Sequence, residues 1–145
     1  MTDTDAKFKP MNPALKGPWL EALRSGEFQQ GFGGLHVTDE NGGTIGHCCL
    51  GVLSEVACNL GLAEKKASNG FNNMYRTKGS DPTREVWSAV MPGQELEGLF
   101  GLDAGVSSKL AEMNDGPGYD TADANSQGAN GKTFVEIADW IEENL

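Results

Sequence analysis

The sequence has no apolar run long enough for a membrane-spanning helix, and we expect neither a membrane span nor a secretory signal. It has only three cysteines, two of them adjacent, and an odd number cannot form a fully paired disulfide framework. We therefore expect free thiols in a reducing compartment such as the cytoplasm. The 145 residues are enough for one domain with its own core.

Positive charge is also scarce. Eleven Lys and Arg residues stand against 21 Asp and Glu residues, which gives a formal net charge of -10. Because a protein that binds a nucleic-acid backbone needs a basic surface, we do not expect nucleic-acid binding. The middle of the chain is the exception and is the one segment predicted to face an anion, since it gathers Lys65, Lys66, Arg76, Lys78 and Arg84.

Helical spacing of apolar residues predicts several short helices. Residues 17–26 form the first, because Pro18 suits a first helical position and Gly26 suits the left-handed position after the last turn. Residues 49–60 carry a complete apolar stripe, which Gly61 ends. The others are predicted over 94–100, from Ser107 or Ser108 to Asn114, and after the capping box of Thr133 and Glu136.

Glycine-rich turn chemistry predicts a β-hairpin before the second helix. Residues 31–38 and 44–48 are the strands, and the Asp-Glu-Asn-Gly-Gly segment at 39–43 is favourable for the turn. The hairpin would place His36 and His47 side by side. Together with the helices it indicates an α+β fold, in which a small antiparallel hairpin or sheet packs against several short helices.

Other segments lack a clear period. Residues 1–12 are predicted to be a flexible tail, and residues 13–145 a single domain. The polar stretches 62–82 and 116–132 are predicted to be mobile loops. Residues 85–91 are apolar but short, and the pattern allows either a strand or one helical turn.

The adjacent Cys48 and Cys49 suggest a nucleophile. A helix N-terminus stabilises a thiolate, and His36 or His47 could serve as its base. The alternative is that Cys49 begins the buried stripe of the helix while Cys48 ends the strand, since free cysteine is among the most buried residue types. The core interpretation is favoured, because no oxyanion-hole motif accompanies the cysteines.

We predict no metal and no other cofactor. Zinc ligands usually come in CxxC or HxxxH pairs, and the adjacent cysteines, even with Cys58 and the histidines, do not give that spacing. Asp115 offers a carboxylate for acid–base catalysis or for a divalent cation. Helix termination explains the same Asn114-Asp115-Gly116 run more simply.

A ligand pocket is the third hypothesis. A planar anionic ligand such as a nucleotide could stack on an aromatic ring while arginine holds its phosphate. The predicted ligand-binding residues are Trp87, Tyr75, Arg76, Lys78 and Arg84. The alternative is that the aromatic residues only pack in the core.

Several runs in the chain resemble a family of small uncharacterised proteins of tailed bacteriophages. These runs are Trp19-x-x-Ala22-Leu23-Arg24-Ser25-Gly26, Gln30-Gly31-x-Gly33-x-Leu35, Cys48-Cys49-Leu50-Gly51-Val52-Leu53, Leu110-x-x-Met113-Asn114-Asp115-Gly116 and Phe134-x-x-Ile137-Ala138-Asp139-x-Ile141-Glu142. The resemblance spans most of residues 17–145, and the segment between Gly116 and Lys132 looks longer than usual for the family. It implies no particular activity.

Taken together, these features favour a non-enzymatic phage accessory protein that acts in the host cytoplasm. Its partner is expected to be a host protein or a small anionic ligand such as a nucleotide, which it would inhibit or sequester. The alternative is a small hydrolase that depends on a cysteine or on a carboxylate. The pattern leaves the oligomeric state open.

Overall fold

The computed structural model describes residues 10–31, 34–39, 41, 43–67, 72–78, 87–89, 91–115 and 132–145. Within them the helices and strands form one α+β unit, as the sequence predicts. No helix among these residues has the length and apolarity to cross a membrane. The elements are α1 (Pro13–Ser25), β1 (His36–Thr38), β2 (Thr44–His47), α2 (Cys49–Asn59), β3 (Ala63–Ala67), β4 (Asn72–Thr77), α3 (Gln94–Phe100), α4 (Ala104–Asp115) and α5 (Phe134–Asn144).

The four strands form one antiparallel sheet in the order β2-β1-β4-β3. The hairpin of β1 and β2 is present, and its register pairs His36 with His47. His36 also pairs with Asn73 of β4. Because directly paired residues of neighbouring strands share a face, these side chains line the same side of the sheet, which is the side that α2 covers.

The predicted loop over 62–82 is wrong for its described part, because β3 and β4 lie there. The segment is mostly polar, so the sequence gives no clear signal for a strand there. β3 is an edge strand whose lysines are exposed, and of the inner face of β4 only Tyr75 is fully buried. An alternating pattern of apolar residues therefore never forms, although the backbone pairing is regular from Ala63 to Ala67.

The first helix begins earlier than predicted. It starts at Pro13, with Asn12 as its N-cap, and Pro18 lies inside it. The side chain of Asn12 accepts a hydrogen bond from the Ala14 N–H and donates one to the Leu99 carbonyl. Met11 is buried in the core, so the predicted tail is also too long at this end. Residues 1–9 of that tail lie outside the described residues.

The remaining helices follow their local signals closely. α2 and α3 match the predicted ranges to within a residue or two, and the capping box of Thr133 and Glu136 opens α5. α4 begins at Ala104 rather than at Ser107 or Ser108, because the carboxylate of Asp103 accepts the Val106 N–H. The predicted loop over 116–132 lies outside the described residues except for Lys132.

The ambiguous segment 85–91 is extended where it is described. Ser88 and Tyr75 exchange two backbone hydrogen bonds of 2.8 Å, and the Ala89 carbonyl accepts the Leu35 N–H. Residues 87–89 therefore lie beside β4 as a strand-like segment rather than as a helical turn. Residues 85, 86 and 90 are outside the described residues.

The contact between α2 and the hairpin depends on Gly51. A Cβ atom at this position would lie 2.5 Å from the carbonyl carbon of Leu35 and closer still to its oxygen. Only a residue without a side chain lets the helix approach the segment before β1 this closely. The helix N-terminus, the hairpin and the core meet at this point, because Leu35 and Leu50 are fully buried here.

We expect Gly51→Ala to lower the free energy of unfolding by about 3 kcal/mol or more, because the added methyl group overlaps backbone atoms that cannot move alone. Gly98→Ala is the matched control, since Gly98 also lies in a helix but has open space around it. The control should be neutral or stabilising by less than about 1 kcal/mol. Urea denaturation of both variants measures this, and equal effects would contradict the close-approach argument.

Candidate functional site

A buried polar cluster lies between α2 and the sheet, and its centre is the side chain of Glu55. This side chain is 14% exposed. Its Oε2 atom accepts a hydrogen bond from Lys65 Nζ at 2.8 Å and another from the Tyr75 hydroxyl. His47 Nε2 lies 3.4 Å from the same oxygen, and His36 Nδ1 lies 3.8 Å from it. We call these five residues the Glu55 cluster.

The two histidines of the cluster stack on each other. Their ring centroids are 4.1 Å apart, and their planes differ by 17°. The Asn73 side-chain amide lies 2.9 Å from His36 Nδ1, and Thr44 Oγ1 lies 2.9 Å from His36 Nε2. Because an amide NH₂ can only donate, His36 carries its proton on Nε2 and donates it to Thr44. Among the residues that the structure describes, the buried His47 Nδ1 has no hydrogen-bond partner.

The surroundings of the cluster fix its charges. Burial raises the pKa of Glu55, but the hydrogen bonds from His47, Lys65 and Tyr75 outweigh burial and lower it to about 2. Burial, with repulsion from His47 and Lys65, lowers the pKa of His36 to about 4. Burial and the neighbouring carboxylate raise the pKa of Tyr75. At neutral pH the cluster is therefore a fixed interior carboxylate beside a neutral His36 and a protonated phenol.

The sequence predicts part of this cluster. It places His36 and His47 side by side, and the structure brings them together. It misses Glu55, Lys65 and the role of Tyr75, because these residues meet only when β4 and β3 pair beneath α2. One signal was available: Glu55 is the single charged residue among the eleven of α2.

The adjacent cysteines are both buried. Cys48 is 4% exposed and caps α2, where its sulfur accepts the Gly51 N–H at 3.4 Å. Cys49 is 0% exposed, and its thiol donates to the Leu110 carbonyl at 3.5 Å. This geometry agrees with the core interpretation of the two residues. Their chemical reactivity stays a prediction.

Asn114, rather than Asp115, is the residue that the Asn-Asp-Gly run places in the interior. Its side chain is fully buried, and its oxygen accepts hydrogen bonds from Gln30 Nε2 at 2.9 Å and from the Cys49 N–H at 3.2 Å. Its amide donates to the Gly31 carbonyl at 2.9 Å. The run therefore does more than end a helix, which is the simpler of the two interpretations that the sequence offered. The side chain of Asp115 lies outside the described part of the structure.

The predicted ligand pocket around Trp87 stays a prediction: among the described residues Arg76 lies against Trp87, whereas Tyr75 lies apart. Tyr75 and Arg76 are neighbours on β4, so they point to opposite faces of the sheet, and Tyr75 is fully buried in the Glu55 cluster. The Arg76 guanidinium lies 4.4 Å from the Trp87 ring centroid, and its Nε donates to Glu64. Lys66 also lies over this ring, at 4.6 Å, while Lys78 is exposed. Arg84 is outside the described residues.

A groove opens where α1 and α2 end. We call it the α1–α2 groove, and its volume is about 530 Å³. Its lining combines apolar side chains with two carboxylates, and among the described residues it includes no basic one. The lining residues are Gly17, Pro18, Glu21, Ala22, Ser25, Glu27, Phe28, Val56, Asn59 and Leu60. None of them belongs to the Glu55 cluster.

A family model described as a domain of unknown function, DUF8296, matches residues 11–145. No curated protein and no solved structure matches the chain.

We expect His36 to make the protein sensitive to acid. Its folded pKa of about 4 lies below the ordinary 6.5, so the unfolded chain binds more protons between these pH values, and the free energy of unfolding rises with pH. The contribution of His36 is complete above pH 6.5, and roughly 3 kcal/mol of it is lost on reaching pH 4. Urea denaturation across this range measures it. His36→Gln should flatten the dependence, and an unchanged slope in the variant would contradict the assignment.

The burial of the thiols predicts slow modification by a charged thiol reagent at mildly alkaline pH. Cys48 and Cys49 should react only as fast as the protein unfolds, because the reagent cannot reach them. Cys58 is partly exposed, but burial and the nearby Glu55 raise its pKa to about 11, so its reaction should also be slow. Cys58→Ser separates its signal from the others. Rapid modification of Cys48 or Cys49 in the native protein would favour the nucleophile hypothesis instead.

Proposed function

Because the chain belongs to the DUF8296 family, a domain of unknown function, we propose its function from its own surface geometry. We propose that it is a non-enzymatic binding protein that holds a basic, partly apolar segment of a partner protein in the α1–α2 groove. One observation carries the proposal: the groove combines an apolar floor with negative charge.

The negative charge of the groove comes from two sources. Glu21 and Glu27 line it directly. The last turns of α1 and α2 also line it, and the C-terminal end of a helix carries partial negative charge. α2 has no basic residue in its last turn. α1 has Arg24 there, but Asp139 and Glu142 bind its guanidinium, each at 2.8 Å. A cationic side chain is therefore the best electrostatic match for the groove.

The apolar floor of the groove suits the apolar part of a basic, partly apolar segment. Ala22 and Phe28 are half-buried, Val56 is buried and Leu60 is exposed. An arginine or lysine side chain could lay its aliphatic stem on this surface while its charged end reaches the carboxylates. The volume of about 530 Å³ is typical of grooves that take one or two side chains or a small ligand.

The resemblance to tailed-phage proteins supports a host protein as the partner and the host cytoplasm as the location. The net charge of -10 supports competition for a basic surface of that partner. Sequestration of an anionic ligand has less support, because Glu64 and Trp87 already engage Arg76. The cysteine-dependent form of the hydrolase alternative has less support, since Cys48 and Cys49 are buried. Its carboxylate-dependent form, with Asp115, stays an open prediction.

The proposal predicts binding of a fluorescent peptide in which arginine alternates with leucine, measured by anisotropy. The double variant E21K/E27K should weaken binding at least about tenfold, because it reverses the charge of the groove. The matched control is E112K/E143K, which changes the net charge equally at two exposed glutamates outside the groove. The control should stay within about twofold of the wild type.

Two outcomes would contradict the proposal. The first is the same loss of affinity in both double variants, because net charge rather than the groove would then hold the peptide. The second is a peptide that does not bind. A nucleotide panel in a thermal-shift assay tests the rival function separately, since a ligand that binds only the folded state raises the melting temperature. A nucleotide-dependent shift would favour sequestration over the proposed role.

A further inference from the structure

We propose that His36, His47 and Glu55 form a binding site for one divalent transition-metal ion, with Zn²⁺ as the best match. One ligand atom from each residue lies within 4.8 Å of the other two. Both histidines are buried, and Glu55 is nearly so. The site is separate from the α1–α2 groove, and the inference does not depend on the function proposed above.

The donor set decides the class of ion. Two imidazoles and one carboxylate are a ligand set that zinc uses in sites with an open fourth position. Mg²⁺ and Ca²⁺ prefer oxygen ligands and suit the site poorly. With three protein ligands, the fourth position would be taken by water.

The surroundings of His36 favour it as a ligand. Its Nε2–H donates to Thr44 at 2.9 Å, which leaves the lone pair of Nδ1 on the side of Glu55. A hydrogen bond of this kind from the far ring nitrogen orients histidine ligands in metal sites. His47 can bind the ion through Nε2 in the tautomer that carries its proton on Nδ1. That atom is buried without a hydrogen-bond partner among the described residues, so this tautomer is a cost that metal binding must offset.

The ammonium of Lys65 occupies the position beside Glu55 that the metal ion would take. Its ammonium lies 2.8 Å from Glu55 Oε2, but its side chain is 36% exposed, so it can leave for solvent. A divalent ion would then bring two positive charges in place of the one on the ammonium, and the interior carboxylate would not lose its counter-charge. Lys65 is therefore a competitor of the metal rather than a ligand.

Binding also requires a movement of the histidines. The lone pair of an imidazole nitrogen lies in the plane of its ring, and one ion cannot lie in two parallel planes at once. Because the two rings are stacked at 4.1 Å and 17°, at least one must turn about its Cβ–Cγ bond. The amide of Asn73 must also release His36 Nδ1. To bind, the ion must therefore disrupt the stacking of the two histidine rings, the hydrogen bond from Asn73 and the ion pair of Lys65 with Glu55.

The test is a titration of the full chain with Co²⁺, whose visible absorption reports nitrogen and oxygen ligands, followed by displacement with Zn²⁺. We expect saturation at one ion per chain. Lys65→Met should tighten binding at least about tenfold, because it removes the competing ammonium. Lys109→Met is the matched control, since Lys109 is an exposed lysine of α4, and it should leave the affinity unchanged.

Loss variants complete the test. His36→Gln and His47→Gln should each weaken Co²⁺ binding by more than about tenfold, and circular dichroism checks that each variant folds. Saturable binding that survives both substitutions would place the ion elsewhere and overturn the proposal. Absence of binding in both the wild type and Lys65→Met would overturn it as well. The lysine comparison keeps the proposal falsifiable if a histidine variant fails to fold.

Discussion

The carboxylate of Glu55 joins α2 to all four strands of the sheet. Its Oε2 atom lies within 4 Å of His36 on β1, His47 on β2, Lys65 on β3 and Tyr75 on β4. An ionised carboxylate in an apolar interior is costly unless donors surround it, and here β2, β3 and β4 each supply one, from His47, Lys65 and Tyr75. If the carboxylate were absent, the donors of the sheet would face the helix without a common acceptor. The position of α2 over the sheet therefore depends on this one charged group.

A second set of contacts ties the same helix to the rest of the core. The buried Asn114 bridges α4 to the Cys49 N–H and to the Gly31 carbonyl, and the indole N–H of Trp19 donates to the Cys49 carbonyl at 2.9 Å. Gly51 allows the close approach of the helix to the hairpin. These residues come from four separate segments of the chain, and their contacts hold the start of α2 in place.

Local signals predict much of the fold, and long-range polar contacts explain the rest. The stripe of α2, the turn between His36 and His47 and the capping box at Thr133 each depend on neighbours in the sequence, and each appears as predicted. β3 and β4 were missed because their inner face carries Lys65 and Asn73 instead of apolar residues. Lys65 and Asn73 are stable there because Glu55 and His36 accept their hydrogen bonds. These partners are distant in the sequence, so no local pattern of residues reveals the contacts. Tyr75 and Arg76 also lie on opposite faces of the sheet, so Tyr75 does not join the basic residues with which the sequence grouped it.

The Glu55 carboxylate stays ionised in the interior because donors from the sheet surround it. The most direct measurement of this is a pH titration of its carboxyl carbon by ¹³C NMR, with Glu55→Gln used to assign the resonance. We expect a pKa of about 2, well below the ordinary 4.5. A pKa at or above 4.5 would mean that burial outweighs the hydrogen bonds, and the carboxylate would then not be held ionised by the sheet.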